Sequence, residues 1–260
     1  MQLKLALPKG QLLQPTSILL NRSGLELSGY DEQSRSYRPQ CRSMPNAFFK
    51  VFNEKDIPIQ VAVGNYDLGI CGQEWVEELL AKYPSSALVK VQNLGYGRRD
   101  ICMAASKTTG VKSIDEFDGW ADTIRIATEY PNLAEAFALS RRFRRFAIFP
   151  LWGGAEAYPP ESADLALISE TPDNPINHDL ASLVMVLRSH VCLIAHRPSW
   201  ESKDLSPLLD RICACSNDVQ SPPEVSKVST AQVRIPGRFD EPGFVRLALA
   251  DGHQQKPTIE

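Results

Sequence analysis

Apolar positions in this chain come in short runs separated by stretches with helical spacing. The run 3–7 has β character and stops at Pro8-Lys9-Gly10. A helical pattern through Ile18, Leu19 and Arg22 then leads to Gly24, giving a strand-turn-helix unit. Residues 29–44 are polar and read as strand and exposed loop. A short helix is expected over 57–63, then a strand over 67–71, with Gly72 opening another helix. In that helix Val76, Leu79, Leu80 and Tyr83 share one face. Glu74, Glu77 and Glu78 stand early, where carboxylates suit the positive helix end, and Pro84 stops it. Further strands are expected at 101–105, 123–128, 146–150, 163–168, 183–187 and 191–195, with helices between several of them and another at 205–212. Beyond it, 216–228 reads as a linker containing Ser221-Pro222-Pro223, followed by strand candidates at 232–235 and 244–249.

Strands alternating with helices predict an α/β fold with largely parallel sheets and ligands at strand ends. Chain order suggests two lobes. Residues 1–93 and 183–215 would form a discontinuous first lobe, 94–182 a second, and 216–260 a C-terminal extension of unknown role.

Composition narrows the function classes. Hydrophobic residues at 43% and charged residues at 23% are ordinary for a globular chain, and a formal charge of −3 gives no pull toward nucleic acid. The basic cluster Arg141, Arg142, Arg144 and Arg145 is local and falls at an expected helix end, where cations suit the dipole. No run is long and apolar enough to span a membrane, and the first residues do not read as a secretory signal, so a cytoplasmic protein is expected. Six scattered cysteines read as small buried thiols in a reducing compartment. The Cys213/Cys215 pair has no matching His or Cys cluster, so no metal site is expected from it.

Three turns could carry chemistry. Lys9-Gly10 places a cation beside bare backbone at a strand-to-helix turn, a geometry that can hold phosphate or can simply be a turn. In the segment 64–72, Gly72 permits close backbone approach and Asp67 could accept from a ribose or base donor; a tight turn would use the same residues. Thr128 ends a strand before a helix and could bind phosphate or cap that helix. The four histidines show no metal-ligand spacing, and no Ser-His-Asp or Cys-His set stands out, so no catalytic residue is assigned.

Together these segments resemble one family. Leu5-Ala6-Leu7-Pro8-Lys9-Gly10-x-Leu12, Asp56-Ile57-Pro58 through Asp67-Leu68-Gly69-Ile70-x-Gly72, and Leu94-Gly95-Tyr96-Gly97-Arg98 match ATP phosphoribosyltransferase motifs in the family's order. So do Arg125-Ile126-Ala127-Thr128-x-Tyr130-Pro131-Asn132-Leu133, Gly154-x-Glu156-Ala157-x-Pro159 and Ala163-Asp164. The resemblance covers about residues 1–200. It implies a bilobed α/β fold of the periplasmic-binding-protein type II kind, with two mixed sheets flanked by helices and a cleft between the lobes. It further implies ATP and phosphoribosyl pyrophosphate as substrates, Mg2+ as cofactor, the first step of histidine biosynthesis as the reaction, and a homo-oligomer or a complex with a regulatory subunit. Site candidates carried over are Lys9, Gly10, Gln11, Asp67, Gly72, Thr128, Glu156, Asp164, Thr171 and Asn174.

The chain also departs from the family pattern. Gln11 stands where the family has Arg, and Asn53-Glu54-Lys55 replaces a basic position. Thr171-Pro172-Asp173-Asn174-Pro175 stands in place of a Thr-Gly-x-Thr-Leu phosphate loop. Proline has no N–H, so Pro172 and Pro175 remove two potential donors. If each is worth roughly 1.5–3 kcal/mol, phosphate affinity falls by about 10² to 10⁴. These losses make a nucleotide-binding or regulatory paralogue the alternative to a working transferase, with a solute-binding module as a third reading.

Overall fold

The computed structural model describes residues 2–34, 36–172 and 175–216. In chain order the first elements are β1 (Leu3–Pro8), α1 (Leu13–Arg22), β2 (Leu27–Ser28), β3 (Gln40–Cys41), β4 (Ala47–Phe52), α2 (Ile57–Ala62), β5 (Leu68–Gly72), α3 (Gln73–Lys82) and β6 (Leu88–Asn93). Then come β7 (Arg99–Ser106), β8 (Ile124–Thr128), α4 (Pro131–Ser140), β9 (Phe146–Pro150), β10 (Leu165–Glu170), β11 (Leu180–Ser189), β12 (Val191–His196), α5 (Arg197–Ser202) and α6 (Ser206–Ser216).

Two mixed five-stranded sheets result, ordered β4-β1-β5-β12-β6 and β11-β7-β10-β8-β9. This is the bilobed α/β arrangement expected. In the first sheet β1 pairs in parallel with β4 and β5, while β12 runs antiparallel to β5 and β6. In the second, β8 runs parallel to β9 and β10, and β7 lies antiparallel between β10 and β11.

Strand alternation sorts the side chains into layers. On one face of the first sheet Leu5, Leu7, Leu68 and Ile70 meet Leu19, Leu20, Leu208 and Ile212 of α1 and α6. On the other, Ala6, Cys71, Cys192 and Ile194 meet Ile57, Val61 and Val76 of α2 and α3. The second sheet packs Ile101, Met103, Ile126 and Leu167 against Ala134 and Ala138 of α4. Its opposite face is alanine-rich, with Ala104, Ala127 and Ala166 beneath Ala155 and Ala163. Cys41, Cys71, Cys102 and Cys192 are buried as free thiols.

Three expectations shift. The strand read at 183–187 runs over Leu180–Ser189 and pairs with β7, so an edge at 182/183 falls inside a strand of the second sheet; the return to the first sheet lies at Ser189-His190. Strands β4 and β6 were not anticipated: both are sheet edges, and each carries a lysine in its middle, Lys50 and Lys90, which interrupts the apolar run as edge strands commonly do. In α3 the exposure is partly inverted, because Tyr83 is half exposed while Glu74 and Glu78 are buried. The strand candidates at 232–235 and 244–249, and 217–260 generally, lie outside the described residues, as do Asp173 and Asn174. Among the described residues no helix is long and apolar enough to cross a membrane.

Candidate functional site

Parallel strands place their carboxyl ends on one edge of a sheet, and that edge is where α/β folds hold ligands. In the first sheet this edge carries Pro8, Phe52 and Gly72; in the second it carries Thr128, Pro150 and Glu170, with the first residue of β7 and the last of β11 beside them. Side chains connect the two edges directly. Arg99 of β7 donates to Glu54 through Nη1 (2.8 Å) and Nη2 (3.1 Å), to Glu74 Oε1 (2.6 Å) and to Gln11 Oε1 (3.4 Å). Lys55 Nζ stands 3.7 Å from the ring centroid of Trp152, and the Trp75 and Tyr130 rings lie 4.6 Å apart.

Two of the helix starts at these edges are closed by the protein's own groups. At α3 the Gln73 N–H donates to His190 C=O and the Glu74 N–H to Ser189 Oγ, while Ser189 Oγ donates to the Glu74 carboxylate. A Cβ at Gly72 would strike that carboxylate, so a side chain there would push Glu74 out of its place. At α4 the Glu78 carboxylate of α3 accepts from Asn132 N–H, Asn132 Nδ2 and Leu133 N–H, satisfying donors a helix start leaves free. Burial pushes the Glu78 carboxyl up, and those three hydrogen bonds oppose it. The Lys9-Gly10 turn differs: no side chain caps it, Gly10 is exposed at φ 74°, a left-handed conformation that favours glycine, and Lys9 Nζ lies 5.7 Å from the Tyr37 ring. Among the described residues Lys9 has no carboxylate within ion-pair distance.

A cavity of about 270 Å³ opens at the carboxyl ends of β8 and β10, lined among others by Glu129, Tyr130, Glu156, Ser169 and Asn177. Burial pushes the Glu129 carboxyl up and Glu156 adds to it; Lys55 and Arg99 pull it down.

The anticipated residues divide. Lys9, Gly10, Gln11, Gly72, Glu156 and Thr171 lie at carboxyl-end edges. Thr128 does too, but its Oγ1 donates to Leu167 C=O and accepts from the Tyr130 N–H, so it holds the turn into α4 and is not free for phosphate. Asp67 and Asp164 are corrected more strongly: both lie at the opposite, amino-end edges. Asp67 is 2% exposed and accepts from the Lys4 N–H (3.0 Å), Ser199 Oγ (2.7 Å) and Lys203 Nζ (2.7 Å). Burial alone would push its carboxyl up, but Lys203, Ser199 and the Lys4 N–H outweigh it and hold it below the ordinary value. Asp164 grips Arg125 through the backbone N–H, Nε and Nη2. Asn174 lies outside the described residues.

The sequence profile of the ATP phosphoribosyltransferase family matches residues 53–214, more than half of the chain. The chain belongs to the ATP phosphoribosyltransferase family. ATP phosphoribosyltransferase of Chlorobium luteolum is 29% identical over 205 residues, covering 76% of this chain and 65% of that protein. The enzyme of Pelotomaculum thermopropionicum is 28% identical over 206 residues, covering 77% and 66%. The chain thus spans about two-thirds or slightly less of these relatives' length. Among solved structures, the ATP phosphoribosyl transferase (HisG:HisZ) complex from Thermotoga maritima superposes with a TM-score of 0.66 at 20% identity, over 83% of this chain and 99% of that one, a likeness of fold. Measured against the ATP phosphoribosyltransferase motifs, sequence reasoning missed Arg99, Glu74 and Ser189. Glu74 was visible as a carboxylate at a helix start, but only the tertiary fold brings it to Arg99 and Ser189.

Proposed function

We propose that the chain transfers the phosphoribosyl group of phosphoribosyl pyrophosphate to N1 of ATP, the first step of histidine biosynthesis. The observation that carries this reading is the family match over 53–214, a span that includes every residue lining the cavity at the ends of β8 and β10. In the reaction N1 of adenine bonds to C1 of the ribosyl group as the bond from C1 to pyrophosphate oxygen breaks, and pyrophosphate leaves with that electron pair. An oxocarbenium-like centre needs alignment and charge stabilisation rather than a protein nucleophile. Lys9 and the open Gly10 turn would hold phosphate oxygens on the first sheet, and Ser169 and Asn177 would orient the ribosyl group on the second.

Mg2+ fits this site. Glu129 and Glu156 line one cavity, and Glu129 feels Glu156 as a like charge, so the two carboxylates suit the one or two that a magnesium ion takes alongside substrate oxygens and water. Bound there, the ion would neutralise charge on the pyrophosphate. Among the described residues no cluster of three or more metal-ligating side chains is found.

The nucleotide-binding or regulatory paralogue remains a second reading, favoured by Pro172 and Pro175 and by the occupied Arg99 fork. A regulatory partner subunit is part of the proposal, by analogy with the two-component complex of the Thermotoga maritima relative. Purified chain supplied with ATP, phosphoribosyl pyrophosphate and Mg2+ tests the transferase reading. Slow formation of phosphoribosyl-ATP, accelerated by the combined Pro172→Gly, Asp173→Thr, Asn174→Thr and Pro175→Leu replacement, supports it. No product from either form, with ATP still bound, turns the assignment to the paralogue.

A further inference from the structure

Arg99 stands where the two sheet edges meet, and its guanidinium is already taken. Nη1 and Nη2 each donate to a different oxygen of Glu54, the parallel two-point geometry by which arginine also binds phosphate. Glu74 takes a further bond from Nη1 on the inner side. Two carboxylates therefore share one cation, and the trio carries a surplus negative charge in a place where the Arg99 and Glu54 side chains are only 10% and 13% exposed. The two acids are not equivalent. Glu74 is wholly buried, and its second oxygen is held by Ser189, so it belongs to the joint between the sheets. Glu54 comes from the turn Glu54–Asp56, next to the Gln11 side chain that also meets Arg99 and one residue from Lys55, which covers the Trp152 ring.

We infer that Glu54 is a specificity-determining residue that stands in for a phosphate group, filling the Arg99 fork and setting the cleft's affinity for polyphosphate ligands. The inference rests on the transferase reading only in taking a polyphosphate as the cleft's ligand. Charge balance supports it: without Glu54, Arg99 and Glu74 form a one-to-one pair, so Arg99 does not need Glu54 for neutrality. Burial supports it as well, pushing the Glu54 carboxyl up even against the opposing pull of Arg99, as expected of a surplus anion. A phosphate of a nucleotide or of pyrophosphate that displaces Glu54 takes over the same two donors.

The test is calorimetric titration of the full chain with inorganic tripolyphosphate in EDTA, comparing the unaltered protein with Glu54→Gln, Glu54→Asp and Glu135→Gln. Glu54→Gln removes the charge from the fork; Glu54→Asp keeps the charge but shortens its reach, and remains readable if the first variant folds poorly. Glu135→Gln removes one charge from an exposed position of α4 that takes no part in the proposed site. Tripolyphosphate binds about tenfold or more tightly to Glu54→Gln, about threefold more tightly to Glu54→Asp, and within about threefold of the parent to Glu135→Gln. Equal or weaker binding by both folded Glu54 variants, or an equal gain in Glu135→Gln, overturns the inference. Tightened binding with no phosphoribosyl transfer by any form sustains it while removing the transferase reading.

Discussion

The acids at the two ends of the sheets live under different terms. At the amino-end edges, Asp67 has three donors and Asp164 has the backbone N–H and guanidinium of Arg125, so each carboxylate is fully supplied. At the carboxyl-end edges carboxylates share their cations: Glu54 and Glu74 share Arg99, and Glu129 feels Glu156 as a like charge with only Lys55 and the already shared Arg99 to offset it. Satisfied acids stabilise a fold, whereas an excess of acid in a cleft holds capacity for a ligand or a metal ion. The family motifs contain both kinds, and only position in the sheet separates them.

The largest effect should come from removing the shared cation. Arg99→Met leaves two nearly buried carboxylates without their shared cation and should cost about 3–5 kcal/mol, read by denaturant unfolding. A variant of parental stability would break the charge count on which the comparison rests. Asp67→Asn comes next, at about 2–4 kcal/mol near neutral pH. Because the Asp67 carboxyl is held below its ordinary value of 3.8, its stabilisation is full above that pH and is lost as pH falls through the lower folded value. The stability gap between Asp67→Asn and the parent should therefore close in acid, while ATP affinity below the melting range stays unchanged. A loss of ATP affinity would return Asp67 to the binding site.

Much of the fold was legible because buried strands write themselves as apolar runs, as in Leu5-Ala6-Leu7 and Leu165-Ala166-Leu167-Ile168. The edge strands around Lys50 and Lys90 were not, since an exposed edge tolerates charge in mid-strand. The Lys9-Gly10 turn was legible from the strand-to-helix pattern, and the Gly154-Ala155-Glu156 turn through its family motif. Sequence could not tell an aspartate before a strand from a ligand-facing one: both Asp67 and Asp164 sit in recognisable motifs, and only the sheet shows that they point away from the carboxyl ends. The Arg99 cluster was equally hidden, because Gln11, Glu54, Glu74 and Ser189 reach it from four separate segments.

Smaller effects sharpen the contrast. Asp164→Asn should lower the melting temperature less than Asp67→Asn does, because Arg125 is 37% exposed and water can replace part of what it loses. Equal shifts would mean that solvent does not compensate at that edge. Glu156→Gln should bring the Glu129 carboxyl down without returning it to the ordinary carboxyl range, since burial, the larger cause of its raised value, persists. Carbon-detected titration of Glu129 reads this directly, and a return to the ordinary carboxyl range would make Glu156 the dominant cause.

Amide hydrogen exchange with and without Mg2+ and ATP tests the division of the two edges most directly. The account predicts added protection at the carboxyl-end segments 8–12, 53–56 and 128–131, around the Lys9 turn, the Glu54 turn and Glu129. It predicts no change at the amino-end segments 64–67 and 161–164 that hold Asp67 and Asp164. Protection centred on Asp67 or Asp164, with the carboxyl-end segments unaltered, would contradict it.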